Sequence, residues 1–132
     1  MGKITEAHRE LIKEVGLSFV ATASKDGAPN VSPKGSIAVL DDDHLMFAEI
    51  MSPGTRANLR ENQRIAVMVC KLEGFQGFQF KGIAEVFPKG EFFDQVAQMM
   101  KERAPNLPTP QNAVKIKVEE VRALGEAPAD QS

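Results

Sequence analysis

Tryptophan and tyrosine are absent from this 132-residue chain, so its eight phenylalanines carry all of its aromatic surface. Cysteine occurs once, at Cys70, which excludes an intramolecular disulfide and fits a reducing compartment. Because Cys70 ends the apolar run RIAVMVC, an inert buried thiol is expected there. Histidine occurs twice, at His8 and His44, and neither has a ligand-spaced partner, so no metal site is expected. The acidic run Asp41-Asp42-Asp43 matches no calcium loop and reads as a solvated turn. No apolar run approaches the length of a membrane span, and no charged-then-apolar leader opens the chain, so a soluble cytoplasmic protein is expected. A formal charge of −2 leaves no basic excess for a general nucleic-acid binder. G-x-S-x-G, the Walker loop and G-x-G-x-x-G are all missing, as are a nucleophile–histidine pair and a carboxylate dyad. Any chemistry therefore has to come from a bound cofactor that the protein orients.

What is present is a succession of short apolar segments separated by turn residues. Ile4 to Val15 repeats apolar residues at helical spacing, with Thr5 as cap and Gly16 as stop. LSFVATAS (17–24) reads as a strand, and Lys25-Asp26-Gly27-Ala28-Pro29 as the turn after it. Asn30 to Leu40 reads as one long strand interrupted by Pro33-Lys34-Gly35, which implies an edge or a bulge and close approach of something to the backbone. Further strands are expected at 45–50, 64–70, 78–87 and 112–121, with Gly82 marking a bulge or bend. Helices are expected at 55–62 and 91–103. Six strands and three helices in this order suggest a closed or nearly closed antiparallel barrel. One domain spanning 1–125 is expected, followed by a disordered tail at 126–132.

The stretch LMFAEIMSPGTRANLREN (45–62) is the most informative. A strand runs directly into a helix start at Ser52-Pro53, and such a start leaves backbone N–H groups pointing outward at the positive end of a dipole. Two hydroxyls, Ser52 and Thr55, and the Arg56 guanidinium stand at the same place, making a candidate phosphate seat. An ordinary capped helix, with Arg56 paired to Glu49 or Glu61, is the other reading of the same residues. The dipole contributes about 0.3–1 kcal/mol and each charged hydrogen bond about 1.5–3 kcal/mol, against about 4 kcal/mol for even a millimolar ligand. A tightly held ligand must therefore also bury an apolar body.

The ATASKDGAPNVSP hairpin, the S-x-x-T-x-x-N-L helix start and the F-x-x-K-G-x-A-E strand, in this order, resemble the FMN-binding split-barrel proteins related to pyridoxamine 5′-phosphate oxidase. The resemblance covers Leu17 to about Leu124 and is nearest to the small bacterial FMN-binding type. It implies a mainly β fold with flanking helices, a six-stranded antiparallel split barrel that forms a homodimer, with FMN in grooves between the subunits. It implies that Ser52, Gly54, Thr55 and Arg56, with Asn58 close behind, hold the flavin phosphate. The ring is implied to lie against Ser32, Pro33, Lys34, Gly35 and Ser36, where Lys34 or a backbone N–H favours negative charge on the ring. The face from Phe47 to Ile50 is implied to supply part of the apolar wall, Glu49, Ile50 and Met51 are implied cofactor contacts, and Lys81 is implied to reach toward the phosphate. The C-terminus EVRALGEAPADQS lacks the substrate-binding His and Arg of the longer oxidases, which speaks against vitamin B6 oxidation. The function implied is that of an FMN-dependent oxidoreductase or electron-transfer protein with an undetermined redox partner and unassigned catalytic residues. Two alternatives stay open: the same fold using a deazaflavin or haem, for which only His8 and His44 are available as ligands, or a non-catalytic flavin-binding module.

Overall fold

The computed structural model describes residues 2–127. Its elements are helix α1 (Glu6–Val15), strands β1 (Ser18–Ala23), β2 (Pro29–Lys34), β3 (Ala38–Asp41) and β4 (His44–Glu49), helix α2 (Pro53–Glu61), strands β5 (Arg64–Lys71) and β6 (Gln76–Phe87), helix α3 (Glu91–Arg103) and strand β7 (Asn112–Ala123). All strand pairs are antiparallel, in the order β2-β1-β5-β6-β7-β4-β3. Among the described residues seven strands are present rather than six, because the segment expected to be one strand over 30–40 is two. Its halves lie on opposite edges of the sheet, joined only by Gly35, Ser36 and Ile37. Four Cα steps reach at most about 14 Å. The sheet therefore has to roll until its two edges lie side by side, and the gap between them is the split of the barrel.

Ser36 stitches that gap. Its hydroxyl accepts from Ala48 N at 3.0 Å and lies 3.4 Å from Ala48 O, so a residue of the connecting link is tied to β4. Inside the barrel, Val20, Leu45, Phe47, Val67, Val69, Phe80, Val114 and Ile116 are fully buried, and Leu11 and Ile12 of α1 and Leu59 of α2 pack against them. Each such side chain contributes about 1.5–3 kcal/mol relative to leaving it in water. The second apolar cluster lies outside the barrel, where Val96 and Met100 of α3 cover Met46 and Ala48 of β4 and Ala113 of β7.

Gly82 does mark a bulge. The β6–β7 register shifts between Lys81 and Gly82, and a Cβ at Gly82 would lie 2.0 Å from the carbonyl oxygen of Lys117. Cys70 differs from the expectation, because it is exposed. Strand β5 alternates, with Ile65, Val67 and Val69 facing in and Cys70 therefore facing out. The acidic turn also does more than meet solvent. Asp42 pairs with Arg9 at 2.7 Å, its carbonyl accepts from Ile4 N, and Asp43 Oδ1 accepts from Lys3 N, so the turn anchors the N-terminal segment. His8 completes the cap of α1: its Nδ1 accepts from Thr5 N at 3.0 Å while Thr5 Oγ1 accepts from His8 N. Of the tail expected at 126–132, residues 128–132 lie outside the described residues, and Glu126 and Ala127 are exposed coil.

Candidate functional site

The split of the barrel opens into a cleft of about 500 Å³. One wall is the end of β2 and the link after it: Ser32, Pro33, Lys34, Gly35 and Ser36. The opposite wall comes from β4 and the turn after it, through Ala48, Ile50, Met51 and Ser52. Met100, Arg103, Ala104 and Leu107, from the end of α3 and the turn beyond it, close the third side. This volume falls within the range of about 300–1,000 Å³ in which small-molecule and cofactor sites occur. Phe47 belongs to a different environment than expected. It turns into the barrel core, so the apolar wall comes from Ala48 and Ile50 instead.

The two walls are joined by a buried polar network. The Lys34 ammonium, with the residue 7% exposed, donates to Ser52 Oγ at 2.6 Å and lies 5.6 Å from the centre of the Phe47 ring. Burial lowers the Lys34 pKa from its ordinary value, and the nearby Glu49 carboxylate raises it in part. Glu49 is 1% exposed and sits behind Ser52. Its Oε2 accepts from Ser52 N at 3.3 Å and from Ser52 Oγ at 3.4 Å, while Oε1 accepts from Asn112 Nδ2 at 2.8 Å. Arg56 Nε stands 3.6 Å from the same Oε1, and Arg56 Nη1 donates to Gln111 at 2.9 Å. The Arg56–Glu49 pairing read from the sequence thus exists, with the carboxylate in the interior and the guanidinium nearer the surface.

Helix α2 begins beside this network. Ser52 occupies the cap position, yet its hydroxyl makes no capping bond to the helix because it is committed to Lys34 and Glu49. Proline at the first helical position presents no N–H, and the first-turn amides behind it carry the positive end of the dipole. Thr55 is fully buried, with its hydroxyl 2.9 Å from Ser32 Oγ and 3.4 Å from Asn30 Nδ2. Asn30 also packs against Gly54, where a Cβ would meet its side chain at 2.7 Å.

The structure therefore gathers most of the expected positions and separates a few. Ser32, Pro33, Lys34, Gly35, Ser36, Ile50, Met51 and Ser52 line one cleft, Glu49 lies buried behind it, and Gly54, Thr55 and Arg56 form the helix start at its end. Asn58 turns the other way and donates to Thr22 Oγ1 at 3.0 Å, tying α2 to β1. Lys81 lines a separate depression with Thr22, Asn62 and Glu120, because the pleat of β6 directs it to the outer face of the sheet. Asn112, Gln111 and the α3 end carry no local motif. Asn112 is legible only through its register opposite Glu49, which requires the β4–β7 pairing to be known. Among the described residues, no cluster of His, Cys, Asp and Glu is arranged to hold a metal ion, and no helix is long and apolar enough to cross a membrane.

An antiparallel sheet rolled into a split barrel, with flanking helices and a cleft at the split, defines the class. Residues 4–125 match the pyridoxamine 5′-phosphate oxidase family, and the chain belongs to it. An uncharacterized protein of Methanocaldococcus jannaschii is 35% identical over 130 residues, covering 96% of this chain and 84% of that protein. The crystal structure of HupZ from Group A Streptococcus is similar with a TM-score of 0.84 at 27% identity, over 94% of this chain and 96% of that one. An FMN-binding protein from Syntrophomonas wolfei shares the fold with a TM-score of 0.78 at 19% identity, over 91% of this chain and 85% of that one.

Proposed function

We propose that this protein is an FMN-binding flavoprotein, an oxidoreductase or electron-transfer protein that holds its cofactor in the cleft at the barrel split. The observation that carries this reading is the junction of the two walls. Residues 33–36 and Ser52, at the start of α2 where no side chain caps the helix, line facing walls of one cleft and are connected by the Lys34–Ser52 hydrogen bond. The residues fit the group. A phosphate finds first-turn amides at Gly54 and Thr55 together with Arg56, and a planar ring finds the backbone of the β2–β3 link at Gly35 with Lys34 beside it. When bound, FMN supplies hydride and single-electron transfer. The chain's own residues bind and orient it: Arg56 and the helix start grip the phosphate, Ile50 and Met51 supply apolar contact, and Lys34 places positive charge at the ring's edge. Haem is less well supported, because His8 is buried in the α1 cap and His44 is engaged with Asp41 at 2.8 Å, both outside this cleft.

The same reading makes the protein a homodimer. Helix α3 covers the outer face of β4 and β7, whereas the outer face of β2, β1 and β5 presents exposed Val31 and Phe19 beside Met68. An aromatic and aliphatic sheet face of this kind suits a second copy. The single cysteine and a redox role support a cytoplasmic location. The test is the visible spectrum of the purified protein after FMN is added and the excess removed. A yellow protein with one flavin per chain, and a solution mass twice the 14.4 kDa of the chain, is expected. A colourless monomer would overturn the reading. Arg56→Ala should weaken FMN by about 1.5–3 kcal/mol and leave riboflavin affinity unchanged, and equal loss for both ligands would remove the phosphate assignment.

A further inference from the structure

We propose that Glu49 is a positioning residue that never touches the ligand and instead couples the two ends of the cleft, holding Lys34 through Ser52 and holding Arg56 through its other oxygen. This role rests on the flavin reading above. Glu49 is absent from the cleft lining yet bonds to Ser52, which lines it and accepts from Lys34, and pairs through its other oxygen with Arg56 in the helix that starts there. It is fully buried, and it is satisfied by donors from two elements: the Ser52 amide and hydroxyl at the start of α2 with Arg56 within it, and Asn112 at the start of β7. A buried carboxylate with this many partners is not a surface ion pair. It fixes the groups around it, because moving any one of them leaves a buried charge short of a partner.

The charges facing Lys34 make its dependence on Glu49 specific. From β4 it meets Glu49 and the Phe47 ring, and from α2 it meets the Ser52 hydroxyl, with Arg56 on the far side of Glu49. From α3, Arg103 lines the same cleft, and from α1, Glu6, Arg9, Glu10 and Lys13, two charges of each sign, line the neighbouring cavity beyond Gly35. Among the described residues that line the cleft or stand behind Ser52, Glu49 carries the only negative charge. A glutamine there presents an amide nitrogen toward the Asn112 or Ser52 donors, so at least one contact is lost, and two cations remain without their carboxylate. The Lys34 ammonium then releases its proton at lower pH, and both Lys34 and Arg56 lose their fixed geometry.

The experiment combines FMN titration with an NMR pH titration of Lys34 in the ligand-free protein, on the full chain with and without Glu49→Gln. The expected result is FMN binding weakened about ten- to a hundredfold, the scale of one lost charge-assisted hydrogen bond, together with a Lys34 titration midpoint moved to lower pH. Asn112→Ala keeps the carboxylate and removes one of its holders, so it should weaken FMN while leaving the Lys34 midpoint in place. This variant serves if Glu49→Gln does not fold, and unchanged FMN affinity in it would then overturn the role. A wild-type protein that binds FMN, beside a Glu49→Gln protein with the same affinity or the same Lys34 midpoint, overturns the role of Glu49 alone. A wild-type protein that takes no FMN overturns the flavin reading, and this role with it.

Discussion

Ser52→Ala removes one oxygen from the centre of the cleft wall, and the structure predicts what that costs. The hydroxyl makes no capping bond, so the usual loss of about 0.5–2 kcal/mol for a helix cap does not apply. Its bond to Glu49, at 3.4 Å, is longer and weaker than the one from Lys34. The bond from Lys34 is 2.6 Å and charge-assisted, in a site where the ammonium is almost out of water. Hydrogen bonds to charged groups contribute about 1.5–3 kcal/mol, so Ser52→Ala should destabilise the fold by about 2–3 kcal/mol. Lys34→Met removes the buried charge along with its desolvation penalty and should cost about 1 kcal/mol or less. In the Lys34→Met background the serine has no ammonium to satisfy, and Ser52→Ala should then cost no more than about 1 kcal/mol. The double-mutant cycle therefore carries a coupling of at least about 1–2 kcal/mol. Urea unfolding at one fixed protein concentration measures it, with unchanged m values as the check that only stability moved. Additivity of the two substitutions within about 0.5 kcal/mol would refute the Lys34–Ser52 contact as the source of the cost.

Gly35→Val should leave the fold intact, since a Cβ there meets nothing nearer than Gly16 O at 3.8 Å, and it adds bulk at a residue that lines the cleft; loss of FMN retention with an unchanged melting temperature is expected, and full flavin occupancy would place the ring elsewhere. Gly82→Ala should be strongly destabilising, by about 1–3 kcal/mol or more, because its methyl meets the Lys117 carbonyl at the bulge, and a neutral result in thermal unfolding would contradict the register. Burial lowers the His8 pKa below its ordinary 6.5, and Nδ1 must stay unprotonated to accept from Thr5. The stability held by neutral His8 is therefore present above pH 6.5 and is lost as pH falls through the lowered folded-state value. His8→Gln preserves a capping acceptor without titrating, so its melting temperature should vary less between pH 7 and pH 5 than that of the wild type; identical pH profiles would exclude His8 as the titrating group.

Local chemistry was readable wherever neighbouring residues decide it. Thr5 and Gly16 bound the first helix, Pro53 marks the start of the second, and Gly82 marks the bulge, because caps, fixed φ angles and close backbone approaches are properties of a few adjacent residues. Ser52 and Arg56 at a strand-to-helix junction were legible for the same reason. What depended on distant pairing was not. Residues 30–40 carry apolar and turn signals that fit one interrupted strand, and only the closure of the sheet assigns its halves to opposite edges. Cys70 ends an apolar run and still faces outward, since the pleat alternates and only partner strands decide which side is the core. Phe47, Lys81 and Asn58 are each directed by a register or packing that no short segment contains. The sequence by itself determined a mainly β chain with a helix start suited to an anion. The tertiary structure decided that this helix start and the Lys34 strand border one cleft, with Glu49 buried between them. That burial depends on Asn112 arriving from 63 residues away, a contact that exists only once the barrel has closed.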